Sequence, residues 1–434
     1  MDPNTGEYTE PESAQVLETD RPNWKRHVFL FISGQTISTF GSMLVGYAVM
    51  WYLVIETQSG LMMALWGIFG ALPQALVSTF AGVLADRVNR KLLIIVADAS
   101  IAIATVILAL FMTFGYTEYW LIFLILAIRS AGQGIQNPAV TAMIPQIVPT
   151  SQLMRVNGIR QSFDSALMLL APAAAGAIYG LWGIIPTFFV DAATAFIGIA
   201  FLLVIPVKTL RGAEEQGSYI SELVEGVKYV WHHAFVRWIL TLFAIVFFLT
   251  VAPSALTPLM LEREWGGEVW KLTVLEIAFA VGMMIGGIVI GIVGSKIKKI
   301  PVILGAILSF SIFSLLLGVA PDLITFYVFM FLVGISVPFF STTTVTLLQE
   351  TVEPEKQGRV FGLMGIVFAL AMPVGLAILG PLADIVDIRW ILIVTGVFTV
   401  LICGWAVAVP SGRKAITAIN EHELNKAESA KKQD

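Results

Sequence analysis

Gly82-Val83-Leu84-Ala85-Asp86-Arg87-Val88-Asn89-Arg90-Lys91 sets four charged side chains directly after a run, 57–85, that carries none. A second apolar run follows at 93–114, broken only by Asp98. Crossing a hydrocarbon core of roughly 30 Å takes about 20 helical residues, so each flanking run is long enough to span a membrane. The decapeptide therefore reads as a short polar connection between two spans. Its order of residue types returns at Gly291-Ile292-Val293-Gly294-Ser295-Lys296-Ile297-Lys298-Lys299, so the two parts of the chain repeat one another.

The rest of the sequence extends this pattern. Of 434 residues, 57% are apolar and 13% charged, against roughly 25% charged in a soluble domain. That balance excludes a soluble globular protein. Further charge-free runs lie at 27–55, 165–190, 323–349 and 360–383. Counting apolar runs gives about 12 spans. The first six lie at 35–51, 65–84, 93–114, 120–140, 167–181 and 186–204; the second six at 239–260, 274–293, 302–320, 327–348, 361–382 and 391–409. They are continuous and about twice the length of a barrel strand, which predicts an all-α integral membrane protein of 12 helices.

The net charge of -4 decides little, but the positions of Lys and Arg do. With the amino terminus inside, Arg87, Arg90, Lys91, Arg155, Arg160, the cations of 208–237, those of 296–299, Lys356 and Arg359 all fall on inner connections. The outer ones hold only Arg263, Lys271 and Arg389. The positive-inside rule then places both termini in the cytoplasm of a multi-pass inner or plasma-membrane protein. Residues 1–24 are acidic and polar, unlike a cleavable signal, and are expected to be a disordered leader. Lone Cys403 in the last run reads as a packed hydrophobe.

The longest polar interruption, 208–237, divides the chain into six-helix halves at 25–207 and 238–410, with a cytoplasmic tail at 411–434. Within it Tyr219, Ile220, Leu223, Val224, Val227, Val230 and Trp231 recur at helical spacing, as in an amphipathic helix on the membrane surface. A second repeat pair supports the division. Pro149 before Arg155-Val156-Asn157-Gly158 corresponds to Pro354 before Arg359-Val360-Phe361-Gly362. Two parallel repeats form the architecture in which a substrate site lies between halves near the midplane.

These residues resemble the major facilitator superfamily, whose loop signature between spans two and three matches 82–91. More narrowly, Asp86 to Arg90, Asn137-Pro138-Ala139, Pro145 to Pro149, Asn157 and Gly358-Arg359-Val360 resemble the branch of macrolide-efflux proteins and the enterobactin exporter. The resemblance implies an inner gate of Asp86, Arg87, Arg90 and Arg359, in which Asp86 meets Arg359. Arg129-Ser130-Ala131-Gly132-Gln133-Gly134 resembles the motif whose arginine is associated with proton coupling. Leu170 to Gly176 resembles the antiporter motif, with Ala171 and Ala175 where glycines are expected.

Among intramembrane charges, Arg129 lies roughly 16 Å from the inner end of its helix, counting about 11 residues. A charge so placed is a functional candidate. With Arg129, the acids Asp98 and Asp164 are the candidates for proton coupling; an i,i+4 pair with Arg160 accounts equally for Asp164. Asp191 and Glu276 are further acids that desolvation would suit to carrying a proton; near outer span ends, contact with water is the alternative. Gln133, Gln136 and Asn137 share a face with Arg129, Gln35 and Ser38 recur in span one, and Ser341 and Thr344 in span ten. Together they are the candidate substrate cavity; small hydroxyls that merely pack helices are the alternative. Gly282 and Gly286 read as a close helix contact, and Pro253 and Pro258 as kinks in span seven.

No Walker loop, zinc-ligand spacing or catalytic triad occurs. The expectation is therefore a monomeric non-enzyme with no cofactor, no metal and no nucleic-acid partner, whose partners are the bilayer, protons and an amphiphilic small molecule. Export by proton antiport and alternating access is the leading reading. An importer, a narrow metabolite or siderophore exporter, and a non-transporting membrane sensor are the alternatives.

Overall fold

The computed structural model describes residues 23–206, 219–294, 297–409, 412, 413 and 417, but not the side chains at 82–87, 219–224 and 354–355. The leader at 1–22, most of the interruption after 206, and the tail beyond 417 lie outside the described residues. Among the described residues every regular element is helical. The helices are α1 (Trp24–Thr57), α2 (Gly60–Arg87), α3 (Arg90–Thr113), α4 (Tyr119–Ile147), α5 (Leu153–Trp182), α6 (Ile185–Val204) and α7 (Tyr219–His232). They continue with α8 (Ala234–Leu249), α9 (Thr257–Trp265), α10 (Val269–Val293), α11 (Lys299–Gly318), α12 (Leu323–Thr351), α13 (Pro354–Ala383) and α14 (Ile388–Ala408).

Eleven segments are long and apolar enough to cross a membrane, with Ala234–Trp265 counted as one. The twelfth expected span is α4, equally long at 29 residues. It carries Arg129, Gln133, Gln136 and Asn137, which lower its hydropathy.

Local chemistry sets the helix boundaries. Asn89, inside the decapeptide, caps α3 by accepting the N–H groups of Lys91 and Leu92 at 3.0 and 3.4 Å. Asp322 caps α12 through Thr325 N–H at 2.9 Å, and Asp387 caps α14 through Arg389 N–H at 2.9 Å. Between α8 and α9 the backbone passes through a π-helical stretch, Ala252–Leu256, that contains Pro253. Proline lacks the N–H of a regular turn, and the wider turn absorbs the mismatch that the sequence reads as a kink.

The helices form two compact units, the first drawing on Met1–Gly46, Leu76–Ala171 and Trp182–Glu214, the second on Tyr47–Ala75, Pro172–Leu181 and Glu215–Asp434. The first is centred on α3 packed against α4 and α6. Its core includes Phe31, Ile94, Met143, Ile144 and Leu202. There α1 and α6 approach closely along small residues. A Cβ on Gly41 would fall 2.0 Å from Thr194 Oγ1, and one on Gly198 would fall 2.9 Å from the Gly34 carbonyl oxygen. Close backbone approach is how helices gain contact where lipid offers no hydrophobic drive.

In the second unit α12 packs on α10 and α11, and α11 on α14. Gly282 and Gly286 meet the backbone of Phe331 and Ile335, so the paired glycines of α10 do serve a close helix contact. Residues 47–75 and 172–181, which the repeat assigns to the first half, pack within this unit. Gly60, Gly67 and Gly176 allow it, lying against Gly380, Leu376 and Thr273. Large apolar side chains such as Phe80, Phe196, Ile292 and Phe398 remain exposed, as an outer surface in lipid allows.

Candidate functional site

Within the first unit, α1, α3, α4 and α6 bring together a set of polar side chains that apolar helices would otherwise exclude. Arg129 of α4 and Asp191 of α6 form an ion pair with side-chain exposures of 6% and 0%. Thr105 of α3 donates to Asp191 Oδ2 at 3.0 Å and accepts from the guanidinium. Ser42 donates its hydroxyl to Asp191 Oδ1 at 3.3 Å, and its carbonyl accepts from Arg129 Nη2 at 3.4 Å. Each charge thus has a partner and further hydrogen bonds, which a buried ion pair needs to offset desolvation.

A second acid lies beside this pair. Asp98 of α3 is 2% exposed. Its Oδ1 accepts from Ser38 at 3.2 Å and from Gln136 Nε2 at 2.5 Å, while Oδ2 is buried with no hydrogen-bond partner among the described residues. Gln136 also reaches Gln35 at 3.4 Å. Ser38 and Ser42, one turn apart on α1, tie Asp98 and Asp191 to the same helix. Unpaired buried polar oxygens are rare and call for an explanation.

Gln136 links Asp98 to a cavity of about 110 Å³ lined by Gln35, Thr39, Gln136, Asn137, Arg160 and Asp164 among others. Of the expected cavity residues, Gln35, Gln136 and Asn137 line it, whereas buried Ser38 serves Asp98 instead. Gln133 is half-buried on the same helix. Ser341 and Thr344 belong to the second unit, where Thr344 is fully buried and its hydroxyl has no partner among the described residues. Asp164 makes the i,i+4 pair with Arg160 at 3.7 Å and is 43% exposed.

Sequence reading missed one member. In the sequence Asp191 ranks behind Asp98 and Asp164, as an acid near an outer span end for which contact with water is the alternative, yet it is fully buried. Its position two turns inside an apolar run was a signal. What the sequence does not display is that Gly41 and Gly198 draw α6 against α1, which closes off the water.

The inner-gate residues are only partly described. Arg90 donates to the Ala142 carbonyl at 2.8 Å, and Arg359 pairs with Glu225 of α7 at 2.6 Å. The side chains of Asp86 and Arg87 lie outside the described residues.

The second unit holds a different charged cluster where α2 begins and α13 ends. Asp384, after α13, accepts from the N–H groups of Gly60 and Leu61 at 2.6 and 2.9 Å and from the Ser59 hydroxyl at 3.1 Å, and so caps α2. Arg263 of α9 joins Asp384 at 3.0 Å, the Ala383 carbonyl at 2.6 Å and the Gln58 carbonyl at 2.5 Å. Gln58 adopts φ +48 and donates to Glu262 at 3.0 Å. Burial pushes the Asp384 carboxyl up, but these hydrogen bonds outweigh it and hold the group below the usual carboxylate range. All three outer-connection cations of the sequence are paired, Lys271 with Glu268 at 3.1 Å and Arg389 with Glu264 at 2.6 Å.

The family model described as transmembrane secretion effector matches residues 23–433. The chain belongs to this family of major facilitator transporters. It is 31% identical to macrolide efflux protein A of Streptococcus pyogenes over 385 residues, covering 88% of this chain and 95% of that protein. To macrolide efflux protein A of Enterococcus faecalis it is 32% identical, over 71% of this chain and 97% of that one. Among solved structures it resembles a bacterial homologue of the lysosomal transporter Spinster, with TM-score 0.70, 16% identity and coverage of 92% and 98%. A bacterial homologue of ferroportin gives TM-score 0.69 at 14% identity, over 89% and 99%. These matches establish the all-α transporter fold of a multi-pass membrane protein that is not an enzyme.

Proposed function

We propose that this chain exports amphiphilic small molecules of macrolide-like chemistry in exchange for protons, by alternating access between its two sequence repeats. The observation that carries the reading is Oδ2 of Asp98, buried beside a polar cavity with no hydrogen-bond partner among the described residues and one helical turn of α1 from the Arg129–Asp191 pair. A proton taken on Oδ2 neutralises a buried charge without breaking the bonds at Oδ1. It also lowers by one the negative charge of the hydrogen-bonded set that α1 shares with the Arg129–Asp191 pair. Gln136, which lines the cavity and bonds Oδ1, holds Asp98 at the cavity wall, so a proton arriving from the cavity would act at the junction of α1, α3, α4 and α6. Asp164, exposed and paired with Arg160, supports a place at the mouth of that route rather than a carrier role.

The proposed orientation keeps both termini in the cytoplasm, and the Asp384–Arg263 cluster then fastens the outer ends of α2 and α13. The inner gate of Asp86, Arg87, Arg90 and Arg359 remains part of the proposal. Similarity to the staphyloferrin A transporter of Staphylococcus aureus, 20% identical over 86% of this chain, favours a narrow siderophore or metabolite exporter as the second reading.

The test is efflux of macrolides, amphiphilic dyes and siderophores from cells expressing the chain, with and without a protonophore. Protonophore-sensitive macrolide or dye efflux supports the first reading; siderophore efflux alone moves the assignment to the second. Flux that ignores the protonophore removes proton exchange.

A further inference from the structure

The second unit also holds a cavity of about 150 Å³, lined by none of the charged residues of the sites described above. It runs between α8 and α14, lined by Arg237, Thr241, Ile245, Ile402 and Trp405 among others. Arg237 lies one turn inside the apolar segment Ala234–Trp265, at the level where a span meets the headgroups. It is exposed and donates Nη1 to the Trp231 carbonyl at 2.5 Å, with its guanidinium 5.8 Å from the Trp231 ring centre. Five N–H groups belong to a guanidinium, so most of its donors are left over. A second arginine stands nearby. Arg413 is exposed just after α14, and its neighbour Gly412 packs against Trp238 and Ala406. Among the described residues neither arginine has an acidic partner.

The walls beyond Arg237 are apolar, and Trp231 and Trp405 flank the opening with exposures of 67% and 56%. Amphipathic aromatic rings settle at the membrane–water boundary, and paired cations there attract anionic headgroups. Within this unit Arg359 pairs with Glu225 of α7, the helix that leads into α8 beside the groove. Cationic donors at headgroup level above an apolar groove complement one occupant.

We propose that the groove between α8 and α14 binds an anionic phospholipid, its phosphate held by Arg237 and Arg413 and an acyl chain lying along Thr241, Ile245, Ile402 and Trp405. The assignment rests on the membrane fold and not on the transport reading, so either can fail alone. The experiment is thermal unfolding of the purified full chain in detergent with added phosphatidylglycerol, phosphatidylcholine or inorganic phosphate, with native mass spectrometry of retained lipid.

Phosphatidylglycerol is expected to raise the melting temperature more than phosphatidylcholine and to be the lipid retained. Arg237→Gln and Arg413→Gln should each weaken that effect by about fivefold, and Arg237→Lys should restore most of it. Equal shifts from both lipids, an equal shift from inorganic phosphate, or a phosphatidylglycerol effect unchanged in the double glutamine variant would overturn the proposal. So would a lipid-independent dimer that Trp405→Ala dissolves, because the face would then belong to a second copy.

Discussion

Arg129 and Asp191 show how one residue's meaning depends on its partner. Removing either leaves the other as an uncompensated buried charge, a loss of about 3–5 kcal/mol. Arg129→Gln and Asp191→Asn should therefore each lower the melting temperature of the detergent-solubilised protein, and the double variant should recover part of the loss. Single variants as stable as the wild type would mean that the pair is solvated. Asp98→Asn predicts a different phenotype. The amide keeps an acceptor for Ser38 and nearly the same volume, so membrane levels should hold, while protonophore-sensitive efflux falls to that of cells lacking the protein. Wild-type efflux from this variant would remove Asp98 as the carrier.

Helix contacts supply the next set of expectations. On the α1–α6 face, Gly41→Ala forces a methyl onto Thr194 and Asp191 and should cost about 1–3 kcal/mol. Gly46→Ala on the same helix meets nothing within 4 Å and serves as the control. At the opposite helix ends Asp384 caps α2, and Asp384→Asn should cost about 1 kcal/mol as the loss of a charged cap. Its pH dependence follows from the direction of the shift. A carboxyl held below its ordinary value stabilises fully above the unfolded pKa of about 3.9 and loses that contribution as pH falls through the lower folded value. The melting-temperature difference between wild type and Asp384→Asn should be constant above about pH 5 and shrink in stronger acid. A difference that changes between neutral and mildly acidic pH would contradict this cap.

At the scale of the molecule, a long apolar helix is legible because its hydropathy is a sum over neighbours in sequence. The order of helices, the loop signature at 82–91 and the repeat near 291 could all be read in this way. So could Arg129, because a charge inside an apolar run is conspicuous without knowledge of its surroundings. The pairing of Lys271 with Glu268 three residues away is local enough to read, but that of Arg263 with Asp384 and of Arg389 with Glu264 is not, since each partner lies more than 100 residues off in the chain. Expression with and without a protonophore is the check at this scale, and loss of macrolide or dye accumulation defence in de-energised cells is the expected outcome.

Sequence by itself determined that this chain is a helical membrane protein with repeated parts, resembling a transporter superfamily, because lipid imposes its demands on each helix separately. Tertiary structure decided which acids are buried. Asp191 and Asp164 are both single carboxylates on long helices, yet Asp191 is sealed against Arg129 by the glycine contact of α1 with α6, and Asp164 stays half-exposed at a cavity wall. Burial depends on what packs across from a residue, and that is set by helix contacts distant in the chain.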